Sequence, residues 1–156
     1  MAPLKERLQA DLTAAMKSRD KIKVATLRMA LTGVATEEVS GNAARELTDD
    51  EVLRVINREV RKRKEAAEAF AGAGRTEQAQ AELHEADVLA EYLPKQLADD
   101  ELETLVAEAI SEVSEQLGEA PGAKQLGQVM RSANAKVAGR ADGGRVAAIV
   151  KARLQS

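Results

Sequence analysis

Apolar residues in this chain recur every three or four positions from one end to the other, and nowhere do they alternate with polar ones over the length of a strand. A period near 3.6 gathers apolar side chains on one face of a helix, whereas a half-buried strand needs a period of two. The chain is therefore expected to be all-α. Composition agrees, since Phe70 and Tyr92 are the only aromatic residues among 156, and the core has to be assembled from Leu, Val, Ile, Met and Ala.

Leu4, Leu8, Leu12 and Met16 mark a first helix, and Asp20 is placed to cap a second that runs through Val24, Leu27, Leu31 and Val34. Gly41-Asn42 interrupts the pattern. Thr48-Asp49-Asp50-Glu51 then has the form of a capping box, opening a long third helix striped by Val52, Val55, Ile56, Val60, Ala67 and Phe70. Gly72 and Gly74 favour a turn into a fourth helix from Thr76, with Ala79, Leu83, Ala86, Ala90 and Leu93 on its apolar side. Pro94 lacks an amide donor and biases Leu93 away from helical angles, which sets the expected domain boundary there. Residues 1–93 are read as a four-helix N-terminal domain and residues 94–156 as a three-helix C-terminal domain. In the second, Asp99 is expected to cap a helix seamed by Leu102, Leu105, Val106, Ala109, Val113 and Leu117 and closed by Gly118. Leu126, Val129, Met130, Ala133 and Val137 seam the sixth helix, and Asp142 caps a seventh that buries Val146, Ile149, Val150 and Leu154.

Several kinds of chemistry are disfavoured by the residue inventory. With no cysteine there is no disulfide or thiolate metal site, which fits a reducing cytoplasm, the expected location. The first five residues lack an apolar signal core, and no run approaches the ~20 apolar residues of a membrane span. His84 is the single imidazole, and the helical wheel puts it on the polar side of helix four with Glu77 and Glu91, so it reads as a solvated side chain and not as a base. The carboxylates of residues 77–117 are scattered around two helices and do not suggest a metal site. The glycine-bearing turns at 72–75 and 139–144 lack the Lys-Ser/Thr ending of a phosphate-binding nucleotide loop. No catalytic residue, metal or cofactor is expected.

Charge is more informative, because a net charge of -3 hides strong segregation. Residues 1–36 carry +4, 37–53 carry -5, 54–76 carry +4, 77–117 carry -11 and 118–156 carry +5. On helix three, Arg54, Arg58 and Arg61 share the polar face with Lys64 at its flank, a row that either tracks phosphates or simply solubilises the helix. Glu59 and Arg63 fall inside the apolar stripe, four residues apart in the favourable order. They read as a buried pair that fixes helix register, with contact to a ligand or to the second domain as the alternative. The closing segment holds Lys124, Arg131, Lys136, Arg140, Arg145, Lys151 and Arg153 against Glu119 and Asp142. Lys124, Gly127 and Arg131 lie opposite the seam of helix six, where a glycine lets a phosphate approach the backbone between two cations; close helix packing at Gly127 is the competing explanation. Aromatic stacking platforms are missing, so backbone recognition of folded RNA is the form of binding to expect, and DNA is not.

These features, taken in order, resemble the GatB/YqeY family. Arg61-Lys62-Arg63-Lys64-Glu65-Ala66 with Phe70 and Gly74-Arg75 is similar to its basic helix and glycine-arginine turn, and Tyr92-Leu93-Pro94-Lys95-Gln96-Leu97 to its YLPxQL junction. Leu126-Gly127-Gln128-Val129-Met130 and Asp142-Gly143-Gly144-Arg145-Val146 resemble its MGxVM and DGxxV elements, with Leu126 in place of the usual Met and Ala66 where Ser is common. The resemblance spans essentially the whole chain and implies a likeness to the helical and tail regions of the GatB subunit of tRNA-dependent amidotransferase. In that enzyme the tail helps hold tRNA, while amide transfer belongs to a separate catalytic region without a counterpart here.

The leading expectation is thus a module without catalytic residues that binds tRNA through Lys124, Arg131, Lys136, Arg140 and Arg145, with Arg54, Arg58 and Arg61 as a second patch. Aminoacyl-tRNA or amidotransferase machinery are the implied associates. A protein-interaction adaptor using Glu82, Glu85 and Glu91 is the rival, and carbon–nitrogen ligase activity with glutamine as amide donor, within an amidotransferase complex, a minor one. The RNA reading requires the cations of the last three helices to face outward as one surface.

Overall fold

The computed structural model describes residues 2–155. They form α1 (Pro3–Ser18), α2 (Lys21–Glu38), α3 (Asp49–Gly72), α4 (Thr76–Ala90), α5 (Asp99–Leu117), α6 (Leu126–Val137) and α7 (Gly143–Gln155), with a 3-10 turn at Ala123–Gln125 and no strand among the described residues. The fold is all-α. None of these helices is long and apolar enough to cross a membrane. The helices fall into two compact units, Met1–Leu93 and Pro94–Ser156, each with its own buried cluster.

Local chemistry accounts for most helix starts. Asp20 accepts the Lys23 amide at 3.1 Å, and Thr48 and Glu51 close the reciprocal capping box at the head of α3. At α5 the cap position is Ala98, not Asp99: the Ala98 amide donates to the Glu101 carboxylate at 3.0 Å, and Asp99, as the first helical residue, pairs with Arg145 at 2.6 Å. Gly118 ends α5 at φ 78°, a left-handed conformation in which a Cβ is strained.

In the first unit, Leu8 of α1, Leu27, Ala30 and Val34 of α2, and Val52, Val55, Ile56 and Val60 of α3 meet in one core with Ala86 and Leu89 of α4. Each of the larger aliphatic groups contributes about 1.5–3 kcal/mol by leaving water. Met16 and Leu83, assigned to apolar stripes by spacing, are exposed, and α4 buries Leu89 where Ala90 was expected. Alanine-rich α4 has a weak apolar bias, so packing on α3 set its rotation. In the second unit, Leu102, Val106, Ala109 and Val113 of α5 pack with Val129, Ala133 and Val137 of α6 and Val146 and Val150 of α7. Leu117, at the end of the α5 seam, is exposed.

Two features fix how the first unit's helices approach one another. A Cβ on Gly33 of α2 would stand 3.0 Å from Val55 Cγ1 and 3.4 Å from Glu59 Oε1, so glycine lets α2 lie close against α3. The Arg63 guanidinium is only 4% exposed. Its Nη1 donates to Glu59 Oε2 at 2.8 Å, its Nη2 approaches the Met29 sulfur at 3.2 Å, and its Nε lies 3.3 Å from Glu85 Oε2 of α4 without hydrogen-bond alignment. The Glu59–Arg63 register pair is present, and Glu85 extends it to the neighbouring helix.

Two substitutions probe this packing. Arg63→Ala leaves two partly buried carboxylates facing each other and is expected to cost about 3 kcal/mol in denaturant unfolding. Gly33→Ala gains helix propensity but crowds a buried valine, for a net loss of about 1 kcal/mol; a stabilised variant would show that Val55 yields freely.

Candidate nucleic-acid interface

Basic side chains of the second unit separate into those that hold the fold and those that reach solvent. Lys136 Nζ lies 2.6 Å from Glu112 Oε1 and 4.0 Å from Glu108 Oε2, both on α5. Their mutual hydrogen bond holds the Lys136 ammonium above its ordinary range, and the Glu112 carboxyl below its own with help from Ser132. Arg140, in the turn after α6, folds back on that helix, with Nη2 donating to the Lys136 carbonyl at 2.7 Å and Nε to that of Val137 at 3.0 Å, which satisfies the last carbonyls of α6. Arg145 ties α7 to the start of α5 through Asp99 and the Leu97 carbonyl. Arg153 pairs with Glu103 at 2.9 Å.

The continuous surface expected from Lys124, Arg131, Lys136, Arg140 and Arg145 is therefore not assembled. Asp99, Glu103 and Glu112 of α5 are the partners of three of the unit's cations. Lys124, in the turn leading into α6, and Arg131, on α6, are exposed and make no ion pair among the described residues. Gly127 lies between them in sequence and is exposed, with no heavy atom beyond its chain neighbours and its own helix backbone within 4 Å of where its Cβ would stand. Close packing does not explain this glycine. Of the expected site residues, Lys124, Gly127 and Arg131 thus remain outward, and Lys151 of α7 is exposed without an ion pair among the described residues as well.

On α3 the expected row is likewise divided. Arg58 Nη2 donates to Glu37 Oε1 of α2 at 3.1 Å, and Arg61 lies 3.9 Å from Glu65. Arg54 is exposed and has no carboxylate within ion-pair distance among the described residues. Sequence reasoning missed Arg45, which stands in the irregular segment before α3 and grips both oxygens of Glu51. No periodicity marks such a residue. His84 is exposed, and no three His, Asp or Glu side chains converge as a cation cage among the described residues.

Comparison with known proteins places this architecture. The family model described as Yqey-like protein matches residues 5–154. The chain belongs to the YqeY-like family. It is also 33% identical over 89 residues to a protein of Schizosaccharomyces pombe named uncharacterized protein C22F3.15, an alignment covering 56% of this chain and 70% of that one.

In this YqeY-like chain the junction sequence Tyr92-Leu93-Pro94-Lys95-Gln96-Leu97 is divided between the two units. Tyr92 is buried in the first, donating its hydroxyl to Asp11 of α1 with the Arg7 guanidinium 4.5 Å from its ring centre. Burial and the neighbouring Asp11 carboxylate raise the phenol well above its ordinary range. Leu97 belongs to the second unit, where its amide donates to the Arg140 carbonyl at 2.7 Å. The motif anchors the chain on both sides of Pro94.

The Arg45–Glu51 grip gives a pH test. Arg45, then the Thr48 amide, hold the Glu51 carboxyl down at about 2 from an ordinary 4.5. A depressed carboxyl contributes stability that is complete above pH 4.5 and lost as pH falls through about 2. Glu51→Gln should therefore be less stable than the parent at neutral pH, with the two unfolding midpoints converging in acid. Parallel midpoints at every pH would show that the pair contributes nothing.

Proposed function

We propose that this YqeY-like protein is a non-catalytic helical module, a four-helix domain followed by a three-helix domain, that holds folded tRNA through its phosphates. The observation carrying this reading is the Lys124, Gly127 and Arg131 group, in which two exposed cations without carboxylate partners flank a glycine with open space around it. Such a group suits phosphate contact, with the bare backbone admitting a phosphate or ribose between the two charges. Likeness to the amidotransferase tail supports tRNA as the polyanion and the amidotransferase or aminoacyl-tRNA machinery as its setting. The adaptor reading loses one of its three acidic residues, because Glu85 serves Arg63.

Two cations contacting two phosphates give a shallow salt dependence, with log affinity falling against log salt at a slope of about -1.4 to -1.8. In filter binding of folded tRNA, Lys124→Glu with Arg131→Glu should abolish retention at low salt, while Lys136→Ala lowers unfolding stability and leaves binding intact. Absence of tRNA binding by the parent protein at low salt would remove the proposal.

A further inference from the structure

The segment entering α3, the first turns of that helix and the end of α2 enclose a basin of about 330 Å³ lined by Glu37, Arg45, Leu47, Glu51, Arg54, Val55 and Arg58. Leu47 and Val55 are themselves buried, so the basin couples an apolar base to five charged side chains. Three guanidiniums against two carboxylates leave it one positive charge. Both carboxyls are depressed by hydrogen bonds from their arginines, Arg58 on Glu37 and Arg45 on Glu51, so that balance holds at neutral pH.

The arrangement has more hydrogen-bonding capacity than its own ion pairs consume. A guanidinium carries five N–H donors. Arg45 uses two on Glu51 and Arg58 one on Glu37, leaving donors on each. Arg54 has no carboxylate partner among the described residues. Arg45 is also preorganised, because the carboxylate that grips it is the one fixed by the α3 capping box with Thr48. A solvated row of arginines along one helix face would have neither the enclosure nor a member delivered from a separate segment.

We propose that this basin is a phosphate-binding subsite, with Arg54 making the direct ion pair and Arg45 and Arg58 adding flanking donors while they stay paired with Glu51 and Glu37. A tetrahedral anion with several acceptor oxygens matches guanidinium forks lining one basin, and the net positive charge favours an anion over a cation as the occupant. That the phosphate belongs to an RNA backbone rests on the reading given above; a free phosphate ester presents the same chemistry.

The test is a titration of the full chain with inorganic phosphate, followed through backbone amide and arginine N–H signals in NMR spectra. Shifts should concentrate on Arg45, Arg54 and Arg58, and Arg54→Ala should weaken binding about tenfold with an unchanged melting temperature. Shifts spread evenly over the exposed lysines and arginines, or equal affinity in Arg54→Ala, would overturn the subsite. Repeating the titration in the Lys124→Glu, Arg131→Glu protein separates it from the α6 surface, since localised shifts there support the basin whatever becomes of that surface. In the parent protein, displacement of phosphate from the Arg45, Arg54 and Arg58 signals by folded tRNA supports an RNA backbone as the occupant, and localised binding that tRNA does not displace supports a free phosphate ester.

Discussion

The Arg63 guanidinium lies almost wholly out of water between Glu59 on its own helix and Glu85 on α4, with the Met29 sulfur of α2 against its third nitrogen. Removing that charge from water is costly, and two carboxylates offset the cost only while three helices hold their present positions. A thioether is a weak acceptor and the Nε proton is off axis, so the group is paired in charge but poorly satisfied in hydrogen bonding. The pair therefore acts more as a constraint than as a source of stability. It dictates which face α3 turns to α4 and how near α2 stands, and the closeness at Gly33 follows from the same arrangement.

Charge in the second unit is spent in a similar way. Carboxylates of α5 that an inspection of the chain would count as an acidic surface face cations from α6 and α7: Glu112 holds Lys136, Asp99 holds Arg145 and Glu103 holds Arg153. These are partly exposed contacts, each worth little alone, and they orient helices already joined by an aliphatic core. Their consequence for function is subtraction. Once the carboxylate-paired cations and Arg140, turned onto backbone carbonyls, are set aside, Lys124 and Arg131 remain of the five residues expected to meet a polyanion. Arg45 and Arg58 differ because their partners leave N–H groups unspent beside a hollow.

Much of this protein could be read without coordinates. Helix type and number, the capping box at Thr48, the Asp20 cap, the turn at Gly118 and the Glu59–Arg63 register all follow from spacing of four or fewer residues, and α-helices are built from contacts at that range. Where apolar patterning was strong, as in α3 and α6, the buried faces could be assigned as well. In alanine-rich α4 it was weak, and Ala79 and Ala86 lie on the buried face as spacing indicated while Leu89 takes the place of Leu83 and Ala90.

Family membership and the all-helical class were thus properties of the sequence alone, because both depend on local order along the chain. What only the folded molecule decided was which charges are free. Asp99 pairs with Arg145, forty-six residues away, and Lys136 with Glu112 across the interface of α5 and α6. An ion pair depends on a few ångströms between side chains that the chain order does not specify, whereas a helix depends on the chain order itself.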